Sequence, residues 1–184
     1  MIRAFIALEL SDVLKRHISG YIAILDKKND RIRWVRPEGM HITLKFLGDI
    51  DQKMIGPIST RLDEIMRGYD VLSLEAAGFG AFPSINKARV VWLGLKGDTD
   101  SLSDIAVSVD RACSEIGFSL EKRRFNAHIT LGRLKVPSVV NLEMQTEGVN
   151  FAVNAVNLYQ SELLKTGAHY TVLHSSHLAH KGER

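Results

Sequence analysis

His41-Ile42-Thr43-Leu44 recurs as His128-Ile129-Thr130-Leu131, 87 positions further along the chain. A β-strand alternates its side chains between two faces. On that geometry His41 and Thr43 share one face, with Ile42 and Leu44 on the other, and His128 and Thr130 repeat the arrangement. One His-x-Thr-Leu strand alone reads as an ordinary packed or surface segment. Its repetition points to function, because packing has little reason to place a titratable group twice at the same strand position. If both strands border one cleft, two imidazoles and two hydroxyls converge on a small volume suited to moving protons around an anionic centre.

The repeat extends beyond the tetrapeptide. Under the same shift, Arg3-Ala4-Phe5-Ile6-Ala7-Leu8-Glu9-Leu10 falls on Val90-Val91-Trp92-Leu93-Gly94-Leu95-Lys96-Gly97, and both runs are β-prone. A helix-start signal follows each: Ser11 or Asp12 in the first half, Asp98 or Thr99 in the second. Amphipathic spacing then places Val13, Leu14, Ile18, Tyr21, Ile22 and Leu25 on one helix, and Leu102, Ile105, Ala106, Val109 and Ala112 on the other. Each half next reaches a short basic stretch, with Arg36 falling on Arg123, and then its His-x-Thr strand. Weak identity outside the motif fits an old duplication. Between the halves, 52–68 reads as helix and 72–76 as strand, while the glycine-rich 77–83 reads as a turn from one lobe to the other. After the second motif, 151–159 alternates like a strand, Gly167 marks a hairpin turn, 170–174 is a final strand, and the tail 180–184 is expected to fray.

The length of 184 residues fits one domain, or two small lobes sharing a core. The N-terminal run is apolar, but Glu9 and Asp12 interrupt it too early for a signal peptide, so an opening strand is expected. No stretch approaches the roughly 20 apolar residues of a membrane-spanning helix. Cys113 is the only cysteine, which rules out an intrachain disulfide and a thiolate cluster and makes a reducing cytoplasm the default. A net charge of +3 permits an anionic ligand but lacks the concentrated stripe of a duplex binder. The run Arg31-Ile32-Arg33-Trp34-Val35-Arg36 is either a strand edge guarded by charge or a surface that contacts phosphates and bases, and both readings stay open.

Cleaving a phosphodiester requires a base for the nucleophile, an acid for the leaving oxygen, and donors for the charge between them. Histidine suits both proton roles, since its unperturbed pKa of about 6.5 lies near working pH. Threonine hydroxyls can donate to non-bridging oxygens. Arg133 has a fork that matches phosphate. Strict strand parity turns it away from His128, so a bulge near Gly132 would have to bring it in. Its counterpart in the first half is Phe46. Lys45 keeps the parity of His41 and Thr43 and is a second candidate cation.

These motifs carry a resemblance. The twin His-x-Thr motifs, the opening Arg3-Ala4-Phe5-Ile6-Ala7, the segment Trp34 through Gly48, Gly78-Phe79-Gly80-Ala81-Phe82-Pro83, Phe125 through Arg133, and Leu158-Tyr159-Gln160-Ser161-Glu162-Leu163 stand in the order of the two-histidine (2H) phosphoesterases. Within that superfamily the chain resembles the LigT-like RNA 2′,3′-cyclic phosphodiesterases, also called RNA 2′–5′ ligases. The resemblance implies an α+β, duplicated bilobal fold, with two antiparallel sheets facing a central cleft and helices packed outside. Residues 1–184 would form one domain of two pseudo-symmetric lobes, each with one motif. It implies metal-free hydrolysis of a terminal 2′,3′-cyclic phosphate to a 2′-phosphomonoester, with reversible 2′–5′ RNA ligation as a further activity. His41 would be the proton donor and His128 the proton acceptor. Thr43, Thr130 and Arg133 would hold phosphate oxygens, and Phe5 or Phe46 would line the nucleoside side. Lys45, Trp34 and Arg36 join them as candidate substrate contacts. No cofactor is expected. The partners would be RNA ends, tRNA halves among them, or nucleotides with a cyclic phosphate, and the protein would be a cytoplasmic monomer without membrane attachment.

Three other readings compete. His169, His174, His177 and His180 cluster near the C-terminus, as metal ligands would, but their spacing is irregular and no carboxylate or cysteine framework accompanies them. A binding module would hold an RNA end or nucleotide without turnover. A 2H phosphodiesterase could instead act on a small cyclic nucleotide.

Overall fold

The structure, a computed structural model, describes residues 1–164 and 167–179, so the expected frayed tail 180–184, His180 included, lies outside the described residues. The elements in chain order are β1 (Ile2–Glu9), α1 (Asp12–Asp26), β2 (Arg33–Trp34), a 3-10 turn (Pro37–Gly39), β3 (His41–Ile50), α2 (Ile55–Met66), β4 (Leu72–Phe82), β5 (Ala88–Gly97), α3 (Thr99–Glu115), β6 (His128–Ser138), β7 (Val149–Val153), β8 (Ala155–Leu164) and β9 (Gly167–His177). They build two antiparallel sheets, ordered β3-β1-β8-β9 and β2-β6-β5-β4-β7. One motif strand lies in each sheet, and β3 and β6 touch where the sheets meet.

Alternation along the strands explains the core. Ala4, Ile6 and Leu8 of β1, Ile42 and Leu44 of β3, and Ile129 and Leu131 of β6 join one buried apolar cluster that runs through both sheets and all three helices. The helices present the expected stripes. Leu14, Ile18 and Leu25 are buried on α1, Ile58, Leu62 and Met66 on α2, and Leu102, Ile105, Ala106, Val109 and Cys113 on α3. Ser11 caps α1, its hydroxyl accepting the Leu14 N–H at 3.3 Å. Asp98 sits at the start of α3, but its carboxylate accepts the Ser73 N–H at 2.8 Å instead of capping. Val13 departs from the expectation and points outward, 54% exposed. Helix α2 packs on β8 and β9, and α3 on β3 and β4.

Two findings differ from the sequence reading. The glycine-rich run 77–83 is no turn between lobes. β4 continues through it with an irregularity between Ala76 and Phe79, and Gly78 takes a left-handed φ of 79° there. Gly80 is needed for proximity, because a Cβ at that position would lie 2.1 Å from the Trp92 ring. The halves also exchange strands. β4 joins the sheet of the second motif, whereas β8 and β9, encoded after that motif, return to complete the sheet of the first.

Candidate active site

Matching interruptions shape both motif strands. Against β1, Ala7 pairs with Thr43 and Ile6 with Lys45, so Leu44 is skipped. Against β5, Trp92 pairs with Thr130 and Val91 with Gly132, so Leu131 is skipped. A bulge of one residue inverts the parity of everything beyond it. Beyond Leu44 the next residue on the His41 face is therefore Phe46, and beyond Leu131 it is Arg133. Burial follows the same inversion: Lys45 and Gly132 are buried, Phe46 and Arg133 exposed.

Aromatic rings support each imidazole. The Phe5 ring lies 4.8 Å from His41, with Tyr170 edge-on at 5.3 Å and Tyr159 at 6.5 Å. Phe82 meets His128 edge-on at 5.2 Å, with Trp92 at 6.5 Å. Each ring is also held by the backbone two residues upstream: the Asn126 carbonyl lies 2.7 Å from His128 Nδ1, and His41 bonds to the backbone of Gly39. A carbonyl only accepts, so His128 carries its proton on Nδ1 and leaves Nε2 as a free lone pair.

Burial pushes the His41 imidazole down to about 4, opposed by the Gly39 bond and reinforced by the Arg133 and Lys15 charges. His128 is lowered for the same first reason, again opposed by its backbone bond and reinforced by Arg133. Arg133 also acts on the Tyr170 phenol, which burial raises and the guanidinium lowers. Arg133 on β6 thus acts electrostatically on both imidazoles and on the Tyr170 phenol of β9, and the two motif strands β3 and β6 are in contact. Two buried side-chain atoms lack a partner among the described residues, Trp92 Nε1 and Asn157 Oδ1. Trp92 pairs with Thr130, and Asn157 lies across Ala7 from Thr43.

The family model for LigT-like phosphoesterases matches this chain twice, over residues 8–92 and 93–170. The chain belongs to the LigT-like phosphoesterase family. An RNA 2′,3′-cyclic phosphodiesterase of Thermotoga maritima is 36% identical over 178 residues, covering 94% of this chain and 93% of its own length. One from Methanothermobacter thermautotrophicus is 32% identical over 177 residues, covering 92% and 95%. E. coli LigT complexed with 3′-AMP superimposes with a TM-score of 0.84 at 25% identity, covering 97% of this chain and 98% of its own.

In this LigT-like phosphoesterase the sequence candidates separate into two groups. His41, Thr43, Phe46, His128, Thr130 and Arg133 occupy the two motif faces, and Phe5, only 4% exposed, forms the ring beneath His41. Lys45 corrects the parity argument: the bulge turns it inward, where it is 2% exposed and paired with Asp110 of α3. Trp34 also points elsewhere. It lies on the Gly132 face and donates its indole N–H to Asp26 Oδ1 at 2.7 Å. Arg36 is exposed at the start of the 3-10 turn. Among the described C-terminal histidines no set forms: His174 bonds Asp63 of α2 at 2.9 Å while His169 and His177 are exposed. Sequence reasoning missed Tyr159, Tyr170 and Phe82 around the imidazoles, and Lys15, paired with Glu9 at 3.7 Å beside His41. Trp92 was detectable, because it falls on Phe5 under the repeat.

Proposed function

We propose that this chain hydrolyses a terminal ribonucleoside 2′,3′-cyclic phosphate to the 2′-phosphomonoester, as one catalytic domain of two pseudo-symmetric lobes. The observation that carries the proposal is the pair of matching bulges on two strands in contact, which set His41 and Thr43 on one motif face and His128, Thr130 and Arg133 on the other. Water attacks phosphorus while neutral His128 takes its proton on Nε2. The bond from phosphorus to O3′ breaks, and His41 delivers a proton to that oxygen. Thr43, Thr130 and Arg133 hold the non-bridging oxygens as charge builds on them. The exposed Phe46 ring, 6.2 Å from Phe5, offers the nucleoside an aromatic surface.

This polarity makes a demand on His41. In the free protein burial keeps it neutral at pH 7, so it must gain its proton with the substrate. An anionic phosphate beside it supplies the opposite charge that raises its pKa. Two histidines and an arginine supply every proton and charge the step needs, so the reaction is read as metal-independent. With the 5′-hydroxyl of a second strand in place of water, the same step would break the P–O3′ bond and form a 2′–5′ phosphodiester, joining two RNA ends such as tRNA halves. A single cysteine suits the cytoplasmic location proposed here, and the enzyme is proposed to act as a monomer.

The deciding experiment incubates the protein in excess EDTA with a short RNA ending in a 2′,3′-cyclic phosphate. Product is identified by mass and by resistance to a phosphatase specific for 3′-phosphates. A 2′-phosphate is expected. A 3′-phosphate would reverse the leaving oxygen and the assigned roles, and dependence on added metal would sink the two-histidine mechanism. Binding without product would identify a binding module. Turnover of small cyclic nucleotides alone would move the substrate away from RNA.

A further inference from the structure

Arg33 has no part in the reaction above, yet the fold fixes it beside Arg133. Strand β2 is two residues long and pairs Arg33 with Arg133 and Trp34 with Gly132. The Val35 N–H extends the pairing to the Leu131 carbonyl at 2.8 Å. Its placement is rigid. Trp34 is tied to Asp26, and Gly132 has no side chain because a Cβ would lie 2.4 Å from Ile32 and 3.0 Å from Trp34.

Residues directly opposite on antiparallel strands project from one face, with Cβ atoms about 4.5–5.5 Å apart, and like charges there repel. The two guanidinium stems are such a pair. Among the described residues neither forms an ion pair with a carboxylate. The described residues thus offer neither charge a carboxylate partner, which points to an anionic ligand. The two cations do not face the same point. Arg133 lies on β6, the strand of the second motif, whereas Arg33 lies on β2, the edge strand of that sheet. Arg133 is the inner cation and Arg33 the outer one.

We propose that Arg33 binds the phosphate on the 5′ side of the terminal nucleoside, one nucleotide from the reacting group. This rests on the cyclic phosphodiesterase reading and deepens it. The site then takes an RNA strand end in preference to a bare nucleoside cyclic phosphate. Arg33 is a specificity residue, and the two-residue strand exists to place it.

The test compares adenosine 2′,3′-cyclic phosphate with and without a 5′-phosphate, in the natural protein and in Arg33→Ala. The quantity read is the ratio of the two kcat/KM values within one protein, which is independent of the fraction correctly folded. A charge-assisted contact predicts a ratio of about ten or more in the natural protein, falling as salt is raised. In Arg33→Ala it falls to about one, and Arg33→Lys keeps part of it. A ratio near one in the natural protein, or one that survives in Arg33→Ala, overturns the proposal. Hydrolysis of both compounds at a ratio near one leaves the phosphodiesterase reading standing and removes Arg33 alone. If neither compound is hydrolysed, the short RNA ending in a 2′,3′-cyclic phosphate decides the phosphodiesterase reading, which falls only if that RNA is also left intact. The same ratio measured as equilibrium dissociation constants then decides Arg33.

Discussion

His41 lies against the rings of Phe5, Tyr170 and Tyr159, and that apolar contact, more than any nearby charge, holds its imidazole at about 4. The sign of the pH effect follows. Between about 4 and 6.5 the unfolded chain binds a proton at His41 that the folded chain does not, so folded-state stability is full above that window and is lost as pH falls through it. Thermal melts from pH 7 to pH 4 are expected to show this decline, and His41→Asn to flatten it. Ligand binding reverses the balance. Calorimetry of 2′-AMP binding at pH 7, in buffers of different ionisation heat, is expected to report uptake of about one proton, and His41→Ala to remove most of it. For turnover, His41→Ala or His128→Ala is expected to lower kcat by roughly 10²–10⁴-fold, the usual cost of losing a general acid or base. A folded single variant with near-normal rate would take that histidine out of the mechanism. The histidines and threonines were legible because the repeat marks them. Tyr159 and Tyr170 were not, since no local pattern ties a C-terminal strand to His41.

At the level of the strand, the bulges after Thr43 and Thr130 decide which side chains join the site. Period-two alternation predicts the His and Thr positions and fails two residues later, where it assigns Lys45 to the cleft and Arg133 away from it. Gly132 hinted at the second bulge, but Leu44 gives no sign of the first. The same limit explains β4. Its glycines read as a turn, although one serves a bulge and another the approach of Trp92. Gly80→Ala tests that account, since a Cβ would meet the indole at 2.1 Å. Displacing the ring beside His128 is expected to cost about 1–3 kcal/mol in urea unfolding, the range for overpacking, and to slow turnover under conditions where the variant stays folded. No change in either would mean that the ring is free to move aside.

For the molecule as a whole, Lys45 joins regions that the motifs alone would leave separate. From β3 of the first sheet it pairs with Asp110 of α3 and donates to the Ser119 carbonyl at 2.8 Å, while the Asp110 carboxylate accepts the Glu121 N–H at 3.1 Å. The strand of the first histidine thereby braces the segment that leads into the second. Lys45→Met leaves Asp110 without its cation and is expected to cost roughly 3–5 kcal/mol, read from urea melts. The double variant with Asp110→Leu is expected to recover much of that loss, and a single variant as stable as the natural protein would show that the pair contributes nothing. The repeat made the two lobes legible but hid their interweaving, because partners such as Phe5 and Tyr159 are too distant in sequence to leave a local signal. That interweaving bears on synthesis. As the chain leaves the ribosome, β1 and β3 emerge early, yet the strand that flanks β1 on its other side is made only after the second motif. The first histidine must wait, its sheet half built, for strands translated after the second motif. A nascent chain therefore holds no partly competent phosphoesterase, and one half expressed alone would lack strands that only the other half encodes.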